Sequence, residues 1–135
     1  MLFAGPSHGF DLSPFNDFAP PVLAASVNNV PHDILSGDFE LVSFDLGARE
    51  FPMESRVVDL AVSKTGVAAG VVQWIHLDLG GDVHYENRPS SAPHAESHWT
   101  QIIHRFPRPL NVEEGRVLHL RIRHDRQHLL IDLVD

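Results

Sequence analysis

From residue 37 to its end, the chain is built of short runs in which apolar and polar residues alternate, each run closed by a turn-forming cluster. A period of two is the pattern of a half-buried strand, and a chain patterned this way cannot fold as a helical bundle. Asp38–Leu46 (DFELVSFDL) alternates around Phe39, Leu41, Val42, Phe44 and Leu46. Arg56–Val62 sets Val58, Leu60 and Val62 on one face and Asp59 on the other. Val67–Leu79 is the longest predicted strand and is apolar on part of both faces, the mark of a strand covered on both sides. Gly80-Gly81 joins it to Asp82–Glu86 as a two-residue hairpin. After a loop over Asn87–Glu96, a strand opens at His98 and runs to Phe106, where Pro107 and Pro109 end it. Arg116–Arg123 and His128–Val134 close the pattern as a hairpin across Asp125-Arg126-Gln127.

About seven short strands with regular turns and no amphipathic helix predict an all-β fold. The expected form is a closed or partly open antiparallel β-barrel, sandwich-like, with an irregular Pro-rich N-terminal arm. The arm spans residues 1–35 and the barrel domain residues 36–135. Pro6, Pro14, Pro20, Pro21 and Pro31 break regular structure in the arm, with room for one helical turn within Asn28–Leu35. Phe10, Phe15, Phe18, Val22 and Leu23 are too apolar for a free tail, so the arm is expected to lie against something. A dimerisation segment is one such use.

At 135 residues the chain is long enough for one core. It has no cysteine, which excludes disulfides, thiolate metal sites and a cysteine nucleophile and fits a reducing, cytoplasmic location. No basic leader and no apolar run of roughly 18 residues is present, so no membrane association is expected. Eighteen acidic against ten basic side chains, a formal charge of −8, argue against nucleic-acid binding. The acids concentrate early: Met1–Val67 carries nine of them against Arg49, Arg56 and Lys64. Such a face attracts Arg-rich proteins or peptides at low salt.

Ten histidines are the compositional oddity. His94 and His98 bracket Glu96 in a loop, without the helical His-Glu-x-x-His spacing a metal needs there. A metal-dependent barrel enzyme using His76, His84, His94 or His104 is the weakest alternative, and no metal ligands are assigned. No Gly-rich phosphate or dinucleotide loop occurs, nor a Gly-x-Ser-x-Gly elbow, so a Rossmann-type donor pocket is missing from these residues.

Ser97, His98, Trp99 and Gln101 stand apart, polar and aromatic groups bunched where a loop becomes a strand. SSAPHAESHWTQIIHRFPRPLNVEEG resembles the C-terminal β-barrel of protein arginine methyltransferases. Ser90, Ser91 and Pro93 match that family's Ser/Thr-Ser-Pro loop. Ser97, His98, Trp99 and Gln101 match its Thr-His-Trp-Lys-Gln motif, with Ser for Thr and Thr100 for Lys, and Val112 and Gly115 match its Val-x-x-Gly turn. VVQWIHLDL and GDFELVSFDL are similar to barrel strands, and GFDLSPFNDF to the start of the dimerisation arm.

The resemblance implies a substrate-side and dimerisation barrel whose edge at Ser97, His98, Trp99 and Gln101 borders the cleft for a substrate arginine. It also implies no catalytic residue in this chain. S-adenosylmethionine would be bound by a separate catalytic domain, and a homo-oligomer or that domain would be the partner. The competing reading is a stand-alone protein or peptide interaction module with an acidic face.

Overall fold

The structure is a computed structural model that describes residues 2–89 and 99–134. Its contacts fall into two compact units, one made of Met1–Asp33 with Ala69–Pro109 and the other of Ile34–Ala68 with Leu110–Asp135. All the sheets are small, and the all-β, antiparallel expectation holds. Among the described residues none of them closes on itself, so the partly open form of the predicted fold is the one realised.

The first unit begins with a two-residue ladder, β1 (Pro6–Ser7) against β2 (Phe10–Asp11). Its loop, His8-Gly9, has positive φ at both positions, 49° and 86°, as a hairpin turn matched to strand twist requires. A 3-10 turn over Ser13–Phe18 follows, with Pro14 in its first turn where the missing N–H costs nothing. Asp11 Oδ1 accepts the Ser13 N–H at its start. The Asn16 carboxamide then grips residue 4 from both sides, accepting from Ala4 N–H at 2.7 Å and donating to Ala4 O at 3.0 Å. The arm therefore carries local order, and its next stretch is a strand: β3 (Val22–Ala25) precedes a second 3-10 turn at Val27–Asn29.

β4 (Glu54–Ala61) belongs to the second unit. β5 (Gly66–Gln73), β6 (His76–Asp78) and β7 (His84–Glu86) come from the predicted long strand and hairpin. The long strand is interrupted at Trp74-Ile75, where the Ile75 N–H bonds the Asn87 side chain instead of a neighbouring strand. Gly80 and Gly81 both take positive φ, in a three-residue loop closed by Leu79 N–H to Val83 O. β8 (Gln101–Val112) is the longest strand and sits between β3 and β5.

The prolines were expected to end β8 at Phe106, and they do not. Register explains this. β3 runs antiparallel to β8, with Leu23 opposite Ile103 and Ala25 opposite Gln101, and the Arg105 N–H reaches the Pro21 carbonyl at 2.8 Å. Amide groups of 101, 103, 105, 107 and 109 thus share one side, and β3 covers only the first three. Pro107 and Pro109 stand where no ladder hydrogen bond is being made, as on an edge strand.

In the second unit β4, β9 (Val117–His124) and β10 (Leu129–Val134) form an antiparallel sheet in the order β10-β9-β4. Leu120 pairs with Val58 on one side and Leu133 on the other. Along β9 burial alternates strictly: Leu118, Leu120, Ile122 and His124 are buried, and Val117, His119, Arg121 and Arg123 are exposed. Leu120 and Ile122 are at most 2% exposed, and each contributes about 2–3 kcal/mol by burial. Val62, Val112 and Leu118 form the core cluster, with Leu35, Leu60, Ala68, Leu110 and Leu133 packed against it. Outward, His119 meets Asp59 at 2.7 Å and Arg123 bonds Asp132. Gly115 (φ 85°) supplies the left-handed position of the β8–β9 turn closed by Arg116 N–H to Glu113 O.

Asp38–Leu46 forms no strand, contrary to its alternation. Arg56 holds the segment by its backbone, donating to the carbonyls of Glu40 (2.7 Å) and Leu41 (2.8 Å). Phe44 packs edge-on against both Phe51 and His124. Phe39, Leu41 and Val42 are half-buried, Phe44 and Leu46 stay exposed, and the segment has no ladder to pair into.

Candidate functional site

Trp99 and Gln101 are the two predicted edge residues that the structure describes; Ser97 and His98 lie outside the described residues. The two behave oppositely. Trp99 is 51% exposed, its indole edge-on to Tyr85 with centroids 5.4 Å apart. Gln101, the first residue of β8, is 4% exposed. Gln101 Oε1 accepts the Val27 N–H at 3.1 Å, and Nε2 donates to the Asn87 carbonyl at 2.8 Å. Both ends of the Gln101 carboxamide therefore hold backbone in place.

Asn87, a loop residue by its sequence context, is the centre of this arrangement. It is 4% exposed and follows β7 directly. Oδ1 accepts the Ile75 N–H at 2.7 Å, while Nδ2 donates to the carbonyls of Trp99 (3.2 Å) and Thr100 (3.3 Å). Its own N–H donates to Ile75 O at 3.2 Å. Two carboxamides, Asn87 and Gln101, thus bind the chain on both sides of the loop to each other and to Val27. An Asn between a strand and a Pro-containing loop is the only sequence signal, and it reads equally as a turn residue.

The predicted arm residues divide in two. Phe10, Phe15 and Phe18 are 71%, 65% and 85% exposed. Val22 is borderline and Leu23 half-buried, because both belong to β3 and pair with His104 and Ile103 of β8. Arg105 secures the base of the arm. Its guanidinium donates to the carbonyls of Asn16 (2.8 Å) and Ala19 (3.2 Å) and lies 4.8 Å from the centre of the Phe3 ring. The exposed phenylalanines are therefore held on an anchored segment.

The described histidines do not converge on one point. His104 is 3% exposed and donates from Nε2 to Gln73 Oε1 at 2.8 Å, with Nδ1 buried and unpartnered. Burial holds its pKa below the ordinary imidazole value, so the ring is neutral and structural. His76 and His84 stack 6.3 Å apart on the exposed β6–β7 ladder beside Glu86. His94 lies outside the described residues. No group of three or more His, Asp or Glu among the described residues is placed to hold a metal ion. Nor does any helix among them have the length and apolarity to cross a membrane.

An antiparallel β module with a polar-aromatic strand edge and an anchored apolar arm is what the geometry defines. The chain belongs to the family described as the arginine methyltransferase oligomerization subdomain, whose profile matches residues 5–133. Among curated proteins it is similar to human protein arginine N-methyltransferase 9, 27% identical over 125 residues, and to the mouse protein of the same name, 26% identical over 125 residues. In each case the match takes in 91% of this chain and 14% of the relative, so the chain spans about one seventh of the length of these relatives.

Proposed function

We propose that this chain supplies the self-association and substrate-facing surfaces of a protein arginine N-methyltransferase-type protein and carries no catalytic group of its own. Methyl transfer requires a pocket for S-adenosylmethionine and groups that orient a guanidinium. In this reading both belong to a separate catalytic domain, and the assembly works in the cytoplasm. The observation that carries the proposal is the arm: three exposed phenylalanines, Phe10, Phe15 and Phe18, on a segment pinned by Asn16 and Arg105. Exposed aromatic side chains on an ordered scaffold mark an interaction surface. The family's description names oligomerization, and a second copy of the chain is the occupant proposed. Trp99, half exposed at the head of β8, supplies the substrate side, since an indole face takes an arginine guanidinium for about 0.5–1 kcal/mol.

Sedimentation equilibrium on the wild-type chain and on a Phe10→Ser/Phe15→Ser/Phe18→Ser variant tests the self-association. The wild type should associate with rising concentration and the variant remain monomeric, with stability changed by no more than about 0.5 kcal/mol because the rings are exposed. A wild type that stays monomeric at high concentration refutes it. For the substrate side, titration with an Arg-rich peptide should show binding that weakens in Trp99→Ala, while S-adenosylmethionine should show none. Tight donor binding by this chain would overturn the division of labour.

A further inference from the structure

We propose that Asn87 is a positioning residue for Trp99: its carboxamide fixes the backbone from which the exposed indole projects. The proposal rests on the reading of Trp99 as a substrate-side residue, and its test is separable from that reading. β7 and the residue that follows it deliver two contacts to Trp99 from residues two apart. Tyr85 meets the indole edge-on, and Asn87 donates to the Trp99 carbonyl at 3.2 Å and to the Thr100 carbonyl at 3.3 Å. With the carbonyl and the ring each held, the indole is defined in direction although it is half exposed. Exposed side chains otherwise move freely among rotamers.

The chemistry demands a carboxamide at this position. One planar group must present an acceptor to the Ile75 N–H and two donors to the carbonyls of Trp99 and Thr100, and only an amide side chain has that inventory. A carboxylate would turn acceptors toward two carbonyl oxygens. A serine would leave at least one of them unpaired. Leucine would fill the space and satisfy none. The Asn87 carbonyl is itself held by Gln101 Nε2, and Gln101 Oε1 holds the Val27 N–H, so the carboxamide cannot shift without breaking a chain of buried bonds. A residue that merely closed a loop would need one such bond. Asn87 instead spends both of its side-chain donors on two consecutive residues that carry the indole.

Trp74 is the other tryptophan of the chain, so Trp74→Phe leaves Trp99 as the sole reporter. In that background Asn87→Asp, Asn87→Ser and Asn87→Leu are compared with the parent at a temperature where all are folded. The expected result is lower Trp99 anisotropy, red-shifted emission and readier quenching by acrylamide in all three, with Asn87→Ser least affected because it retains one donor. Binding of an Arg-rich peptide should fall in step, to the level of Trp99→Ala for Asn87→Asp. Variants that melt at lower temperature while Trp99 anisotropy, emission and quenching stay at parental values would show a plain structural role and overturn the proposal. If the parent binds no peptide, the substrate-side reading fails, and the fluorescence still decides the role of Asn87. If no variant folds, time-resolved anisotropy of Trp99 in the Trp74→Phe parent decides: an indole held by Asn87 and Tyr85 shows little subnanosecond depolarisation, and a large fast component counts against the proposal.

Discussion

Gly70, in the middle of β5, shows how closely the backbone of the first unit is packed. A Cβ added there would lie 2.3 Å from the His104 carbonyl oxygen and 3.0 Å from Arg105 Cα. Carbon and carbonyl oxygen ordinarily approach no closer than about 3.3 Å, so the two strands would have to part by about 1 Å. The obstacle is backbone, which no rotamer change can move, and it lies at the point where β8 carries buried His104 and the arm-anchoring Arg105. Overpacking of a closed interior costs up to about 3 kcal/mol, and this site offers no side chain to absorb the strain. For a chain of this size about 4 °C of melting temperature is lost per kcal/mol, which puts Gly70→Ala about 12 °C below the wild type. Urea unfolding followed by far-UV circular dichroism measures the loss, with a lower midpoint and an unchanged slope expected. Gly37→Ala serves as control, since nothing lies within 4 Å of its added Cβ. A Gly70→Ala protein within about 0.5 kcal/mol of the wild type would show that the strands separate freely, and the close-approach argument would be wrong.

Two pH dependences follow from groups of opposite character. His104 is buried and neutral, with its folded-state pKa pushed below 6.5 by desolvation, so the unfolded chain binds its proton more readily. Its contribution is therefore complete above pH 6.5 and is lost as the pH falls through the lower folded value; His104→Gln should flatten that part of the stability profile, and an unchanged slope refutes the assignment. Asp125 accepts the His128 and Gln127 N–H groups at the β9–β10 turn, which lower its pKa to about 2. The turn's contribution is complete above pH 3.8 and fades only as the pH falls through about 2; a carboxyl resonance titrating at the ordinary aspartate value in an NMR series would refute it.

Much of the sheet structure could be read from the residues, and the failures share a cause. Arg56–Val62, Arg116–Arg123 and His128–Val134 fold as strands within a residue or two of their alternating runs. Each has one face on the core and one outside, the condition under which period two reports a strand. Asp38–Leu46 alternates as well but has no ladder to join, and the carbonyls of Glu40 and Leu41 go to Arg56 instead. Alternation says nothing of what the backbone pairs with, and without a ladder it does not fix coverage: Phe44 and Leu46 stay exposed. The candidate site shows the same limit. The exposed arm residues Phe10, Phe15 and Phe18 and the exposed Trp99 could be picked out by type and position. Gln101 was picked out too, yet it acts inward. Asn87, which joins it, was missed, because its partners at residues 75, 99 and 100 are distant along the chain.

Antiparallel β structure, turns at Gly80-Gly81 and Gly115, and an arm too apolar to be free were all legible in the residues, because those properties depend on local periodicity and composition. The chain's resemblance to the arginine methyltransferase barrel was also carried by a short local motif. That β8 passes through two prolines, that Gly70 admits no side chain, and that Asn87 and Gln101 fix the backbone beneath Trp99 emerge only from the folded chain. Those facts depend on which groups meet across the sheet, and a buried polar group takes its meaning from the partner that satisfies it.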